Sequence, residues 1–159
     1  MEQVDLKEVE TRTVSVGRYI NAMSQPFREK FLERKRSYQL NEAVVHRLRS
    51  YAREVVVVVF SAEWCKDCIA NVPVLALITE RIGMKVRVFG GLKKDPLNPK
   101  ENWRIPPSPP EVKTFEVQKT PTLIIFNKYG KRLGTIVEKP KAENTLEEEM
   151  LQIIQKGIV

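Results

Sequence analysis

Between Glu54 and Leu77 the hydrophobic pattern changes period once. Val55–Val59 and Phe60 run on without a polar interruption. An unbroken β-branched run predicts a strand buried on both faces, the state of a central parallel strand. Ser61–Glu63 break the run. From Cys65 the apolar positions Ile69, Val72, Leu75 and Ala76 recur at helical spacing. A helix is therefore expected over Trp64–Arg81, with Pro73 kinking it and Gly83 as its C-cap. Met84–Phe89 sets Val86 and Val88 against Lys85 and Arg87, then stops at Gly90–Gly91. That alternation predicts a second strand. Strand, helix and strand over this length form a βαβ unit with parallel strands and a right-handed crossover.

Upstream the pattern is helical. Val16, Ile20 and Met23 mark one helix, and Pro26 opens a second, with Phe27, Phe31 and Tyr38 on its apolar stripe. Its Arg34–Arg36 run reads as a solvated face. Asn41 is a candidate cap for a third helix, Glu42–Arg53, with Val44, Leu48, Tyr51 and Ala52 on one face. His46 sits among polar neighbours and is expected at the surface. Met1–Thr13, with Val4, Leu6 and Val9, fits a loop, a fraying helix or an edge strand equally well.

Downstream, Leu92–Pro110 contains Pro96, Pro99, Pro106, Pro107, Pro109 and Pro110, with Trp103 and Ile105 between them. A long extended loop is expected there. Parallel strands of a βαβ unit end at one rim of the sheet, so this loop should leave beside Cys65. Trp103 and Ile105 would then supply apolar contact to a substrate, or pin the loop to the domain. A short helical piece over Glu111–Val117 follows. Leu123–Phe126, the Asn127–Gly130 turn and Lys131–Val137 read as an antiparallel hairpin. A closing helix spans Ala142–Lys156, capped near Asn144 or Thr145, with Leu146, Met150, Ile153 and Ile154 inward. Its Glu147–Glu149 run lies in an early turn, where the macrodipole favours acid.

Composition narrows the class. The chain has 159 residues, 42% of them hydrophobic, enough for a real core. The net charge of +7 comes from Lys and Arg interleaved with Glu, which reads as a mixed-sign surface rather than a nucleic-acid site. No apolar run approaches the roughly 20 residues needed to cross a bilayer. The first ten residues are charged and show no apolar signal region, so the expected location is cytoplasmic, with no membrane partner.

The 2 cysteines sit where a buried strand hands over to a helix. A first helical turn offers unpaired N–H groups and the positive end of the macrodipole. A thiolate is stabilised there, and the thiolate is the nucleophile. Cys65, nearer the terminus, should be the more acidic and more exposed thiol. Cys68, one turn in, should be more buried and still within reach of a disulfide. Cys65 would attack a substrate disulfide and Cys68 would resolve the mixed disulfide. A zinc site wants four ligands, whereas the chain holds 2 cysteines and 1 histidine in another segment. Redox chemistry is the better reading.

Two landmarks, Ala62–Glu63–Trp64–Cys65–Lys66–Asp67–Cys68 and Thr120–Pro121–Thr122, together resemble the thioredoxin family. Pro73 falls where that family kinks its helix, and Gly130 matches the glycine of its hairpin turn. The resemblance runs from about Glu54 to the C-terminus. It implies an α/β thioredoxin-like fold, a central mixed sheet flanked by helices. Residues 1–53 would form an N-terminal helical extension packed on a domain spanning 54–159. It also implies catalytic Cys65 and Cys68, a cis bond before Pro121, and substrate binding at Trp64, Thr120 and Pro121. A cis Pro121 would turn the Thr120 backbone outward, where a substrate segment could pair with it as an added strand.

Three departures stand out. Thioredoxins usually carry a buried aspartate six residues before the first cysteine; here Val59 occupies that position. The alternatives for its role are Glu63, Asp67 or an unassisted resolving step. The residues between the cysteines are Lys66 and Asp67, whose charges oppose one another on Cys65. The loop after Gly90 and the helices before Glu54 exceed the family norm. The expected function is reduction of protein disulfides, with no bound cofactor and no metal. Electrons would come from a separate disulfide reductase or dithiol donor, because no nucleotide or flavin signature is present. The alternatives are a redox-sensing adaptor, and a dimer holding zinc or an iron–sulfur cluster through two CxxC motifs.

Overall fold

The computed structural model describes residues 3–93, 97, 103 and 108–158. The segment that the sequence left undecided becomes a helix and a strand. Helix α1 (Leu6–Arg12) starts at Asp5, whose carboxylate accepts from the Lys7 and Glu8 amides. Strand β1 (Val14–Ser15) follows, and Ser15 at once caps helix α2 (Val16–Asn21). Helix α3 (Phe27–Ser37) begins after Pro26. Helix α4 (Glu42–Arg49) is capped by Asn41 and ends four residues short of the predicted Arg53. Its inward residues are Val45 and Leu48, with Val44 only half-buried. His46 is exposed.

The valine run forms β2 (Val55–Phe60), and α5 (Lys66–Ile82) follows, closed by Gly83 in the left-handed region at φ 73°. β3 (Lys85–Phe89) lies parallel to β2, with Val59 beside Val88 and Phe60 beside Phe89. After a four-residue helix α6 (Glu111–Thr114), β4 (Thr122–Asn127) and β5 (Arg132–Val137) form the hairpin. α7 (Leu146–Ile158) closes the chain. Most of the proline-rich loop, including Pro96, Pro99, Ile105, Pro106 and Pro107, lies outside the described residues.

The sheet order is β1-β3-β2-β4-β5. It is mixed: β2 and β3 run parallel, while β1–β3, β2–β4 and β4–β5 are antiparallel. The valine strand is therefore central, as its two-faced apolar composition requires. Helices α2, α3 and α4 all pack against α5, and α7 packs on β4 and β5. Gly134 is needed there, because a Cβ would stand 2.6 Å from Ile153 Cγ2 of α7. The segment before Val55 is continuous with the core. Phe31 and Leu48 are fully buried and cluster with Val57–Phe60. Each such burial is worth roughly 1.5–3 kcal/mol. β1 adds an antiparallel strand to the same sheet, so the extension is not purely helical.

Candidate active site

The site forms where β2 ends. The Ser61 amide donates to the Phe89 carbonyl at 3.0 Å, which holds the end of β2 against β3. The chain then turns, and the Cys65 amide donates to the Ala62 carbonyl at 3.3 Å. Cys65 is the N-cap of α5. It keeps an extended backbone, and its sulfur accepts the Cys68 amide at 3.3 Å. A sulfur thus fills the role that a serine or aspartate oxygen usually plays at a helix start.

The two thiols occupy unlike environments. Cys65 is 7% exposed and Cys68 0%. Both are free. The Cys65 sulfur receives the Thr120 hydroxyl at 3.3 Å, and its own thiol can donate to the Thr120 carbonyl at 3.4 Å. The Cys65 thiol is pulled down to about 6, chiefly by a hydrogen bond from the Cys68 thiol. Burial opposes this, while the Thr120 hydroxyl and the Cys68 and Asp67 amides support it. Asp67 thus acts on Cys65 through its backbone. The Cys68 thiol is pushed up, first by burial and then by its bond to Cys65. The Ala62 amide, 3.5 Å from the Cys68 sulfur, and the Ser61 hydroxyl pull the other way. One group is poised as a thiolate near neutrality and its neighbour keeps its proton.

Thr120 and Pro121 lie beside these sulfurs, and the bond joining them is cis. Pro121 is buried, and its carbonyl accepts the Glu138 amide at 2.7 Å. Trp64 is 47% exposed. It stacks on Trp103, with centroids 6.1 Å apart and planes 26° apart. Trp103 itself is buried, and its indole N–H donates to the Gln118 carbonyl at 3.3 Å. A groove of about 360 Å³ over Cys65 and Thr120 is lined by Trp64, Trp103, Lys66, Lys119, Asp67 and Glu138. A larger cavity of about 700 Å³ lies away from the thiols, between α1 and α6. The groove is the one that meets the chemistry.

The residues singled out in the sequence, Trp64, Cys65, Cys68, Thr120 and Pro121, therefore come together. Two others were not foreseen. The Tyr19 hydroxyl of α2 lies 2.9 Å from Ser61 Oγ, and Ser61 is fully buried next to Cys68. Gly90 carries the one sequence trace of this. A Cβ there would stand 2.7 Å from the Tyr19 ring. Val59, where the resemblance implies an aspartate, is 0% exposed between Val88 and Leu123.

A family model described as thioredoxin matches residues 13–151. The chain belongs to the thioredoxin family. The match takes in α2, α3 and α4, so the family's model extends well upstream of Glu54. With two adjacent cysteines at its site, this thioredoxin-family protein is assigned to thiol–disulfide chemistry at the family level. A Pseudomonas aeruginosa protein of unknown function shares the fold at a TM-score of 0.73 and 14% identity, covering 96% of this chain and 98% of its own. An HIV epitope-scaffold protein does so at 0.72 and 14%, covering 96% and 99%. The exposed lipoprotein thioredoxin of Streptococcus pneumoniae matches at a TM-score of 0.45 and 20% identity, over 69% of this chain and 89% of its own. No curated protein matches in sequence. Among the described residues, no helix is long and apolar enough to cross a membrane.

Acidity at Cys65 has a direct consequence. Alkylation of the reduced protein should label Cys65 first, with a rate that rises through a midpoint near about 6. Cys68 should stay unlabelled until well above neutral pH. Peptide mapping after a pH series of brief iodoacetamide pulses reads both. Equal labelling would contradict the asymmetry.

Proposed function

We propose that the protein reduces protein disulfides, with Cys65 as the attacking thiol and Cys68 as the resolving one. The observation that carries this is the pairing of an acidic Cys65 that lines the groove with a fully enclosed Cys68 that holds its proton. The Cys65 thiolate attacks one sulfur of the substrate disulfide. The substrate S–S bond breaks, one substrate thiolate leaves, and a mixed disulfide remains. Cys68 then attacks the Cys65 sulfur, the second substrate thiol leaves, and Cys65–Cys68 becomes a disulfide. Two electrons from a separate reductase or dithiol donor restore the thiols. A reducing direction fits the cytoplasmic location expected from the sequence.

Thr120, Pro121 and Trp64 form the substrate-binding edge in this reading. The Thr120 backbone offers strand-like pairing beside Cys65, and the tryptophan pair supplies apolar contact. The test is turnover of a disulfide-bonded reporter protein with a small dithiol in excess. Catalytic amounts of the protein should accelerate reduction well beyond the dithiol alone. No acceleration, with Cys65 and Cys68 demonstrably reduced, would refute the assignment.

The groove predicts a second result. Trp103→Ala removes one stacked wall without touching a sulfur. Reduction of a small-molecule disulfide should stay within about twofold of wild type. For the protein reporter, kcat/KM should fall about tenfold, the loss expected for one stacking contact of about 1.4 kcal/mol. Equal effects on both substrates would reduce Trp103 to a pin for its loop.

A further inference from the structure

The resolving step needs the buried Cys68 thiol to lose a proton. Its immediate surroundings offer little that can take one. Val59 puts no carboxylate on β2, and the Ala62 amide near the Cys68 sulfur is a donor, not a base. Next to the sulfur, one residue before the Ala62 amide that reaches it, is the fully buried Ser61, whose hydroxyl pulls the Cys68 thiol down against the effect of burial. At 2.9 Å beyond it is the hydroxyl of Tyr19. We infer that Ser61 and Tyr19 form a two-hydroxyl relay that carries the Cys68 proton out to solvent, in place of a buried carboxylate.

The fold builds this relay deliberately. Ser15 caps α2, and Val16 and Ile20 anchor that helix in the core. The Tyr19 ring is thereby set edge-on to Phe31, at 6.1 Å and 83°. Its other side lies against Gly90, where any side chain would collide with it. Tyr19 is half-buried, so the residue that meets the buried Ser61 also reaches the surface. The charged groups whose fields reach the Tyr19 hydroxyl are Cys68, Glu63 and Cys65. Burial keeps that hydroxyl protonated, pushing it further above its ordinary range. Tyr19 therefore passes a proton on without becoming a standing phenolate.

The step balances. The Cys68 S–H proton moves to Ser61 as the Ser61 proton moves to Tyr19 and the Tyr19 proton to water. The freed sulfur pair forms the Cys65–Cys68 bond. The Cys65–substrate S–S bond breaks, and its electrons leave on the substrate sulfur, which takes a proton from solvent. In this relay Ser61 takes the proton from a reacting atom and is therefore a catalytic residue. Tyr19 works through Ser61 and is a positioning residue.

The inference rests on the reading that Cys68 resolves a mixed disulfide, and its test isolates that event. One equivalent of dithionitrobenzoate, a chromogenic aromatic disulfide, is mixed with the reduced protein. The first equivalent of coloured thiolate reports capture by Cys65. The second reports attack by Cys68. Ser61→Ala should leave the first phase within about twofold of wild type and slow the second about tenfold or more near pH 7, a modest share of what general acid–base assistance contributes. Tyr19→Phe should slow the second phase in the same direction. The double variant should be no slower than Ser61→Ala, because the groups act in series. Ser61→Thr, which restores a hydroxyl, should recover most of the rate. In both deletions the pH midpoint of the second phase should move up and the deficit should shrink in alkali.

Unchanged second phases and midpoints in Ser61→Ala and Tyr19→Phe would overturn the relay. A Ser61→Thr variant as slow as Ser61→Ala would do so too. If Ser61→Ala does not fold, Tyr19→Phe keeps the ring between Phe31 and Gly90 and decides the matter alone. Failure of wild type to turn over the reporter protein would sink the reductase reading, while the second phase would still judge the relay.

Discussion

Cys65→Ser should abolish turnover of any disulfide substrate, to the background rate of the dithiol alone. A serine hydroxyl in that N-cap position still accepts the Cys68 amide, so the helix start survives. What is lost is the thiolate. Cys68→Ser should behave differently. Turnover should stop, yet one equivalent of substrate should be captured on Cys65 and persist. A contrast within this series makes the expectation sharper. The largest cause of Cys65 acidity is the hydrogen bond from Cys68. Cys68→Ser keeps a donor at that point, while Cys68→Ala removes it. The alkylation midpoint of Cys65 should therefore rise in Cys68→Ala and rise less in Cys68→Ser. Mass spectrometry of the captured adduct and the alkylation series measure both. Capture on Cys68 instead of Cys65 would invert the assignment of roles.

How much of this was legible in the chain depended on distance along it. The Val55–Val59 run, the Cys65 and Cys68 pair and the Thr120–Pro121–Thr122 step each carry their own local pattern. Central strand, helix start and edge segment follow from them without any tertiary knowledge. β1 carries no such pattern. It is two residues long, and its partner Val88 lies far downstream. Glu147 does more than its early-turn position implies, for a related reason. An acidic residue in an early helical turn is ordinary at a surface, where the macrodipole suffices. Here Glu147 is 0% exposed. Its carboxylate accepts the Tyr38 hydroxyl at 2.7 Å and the Asn41 amide at 2.8 Å, tying α7 to the α3–α4 junction. Tyr19 and Ser61 are the clearest case. Neither is unusual where it stands, and their meeting depends on how α2 packs across the end of β2. Local pattern thus explains the sulfurs and the Thr120 edge, while Tyr19 reaches them from a helix far upstream.

Val59→Asp should destabilise the protein by about 3–5 kcal/mol at pH 7, the usual consequence of leaving a buried charge without a partner. Val59 is 0% exposed at the centre of the sheet, between Val88 on β3 and Leu123 on β4. An aspartate there loses its hydration and finds apolar neighbours on both flanking strands. The pH dependence has a definite sign. Burial raises the carboxyl in the folded state, while in the unfolded chain it ionises near about 3.9. As pH climbs above that value the unfolded state sheds a proton that the folded state keeps, so stability falls with rising pH. Denaturant melts should therefore show a smaller deficit near pH 4 than near pH 7, and Val59→Asn should show no such trend. Activity adds a second reading. A carboxyl at this position would stand where the family usually keeps one, and in the Ser61→Ala background it could take over the proton of Cys68. Partial recovery of the second phase in the double variant, despite lower stability, is the expected result. A destabilised protein with no recovery would mean that the geometry of this site admits the hydroxyl route alone. A melt unchanged at pH 7 would mean that Val59 is not enclosed as the sheet register requires.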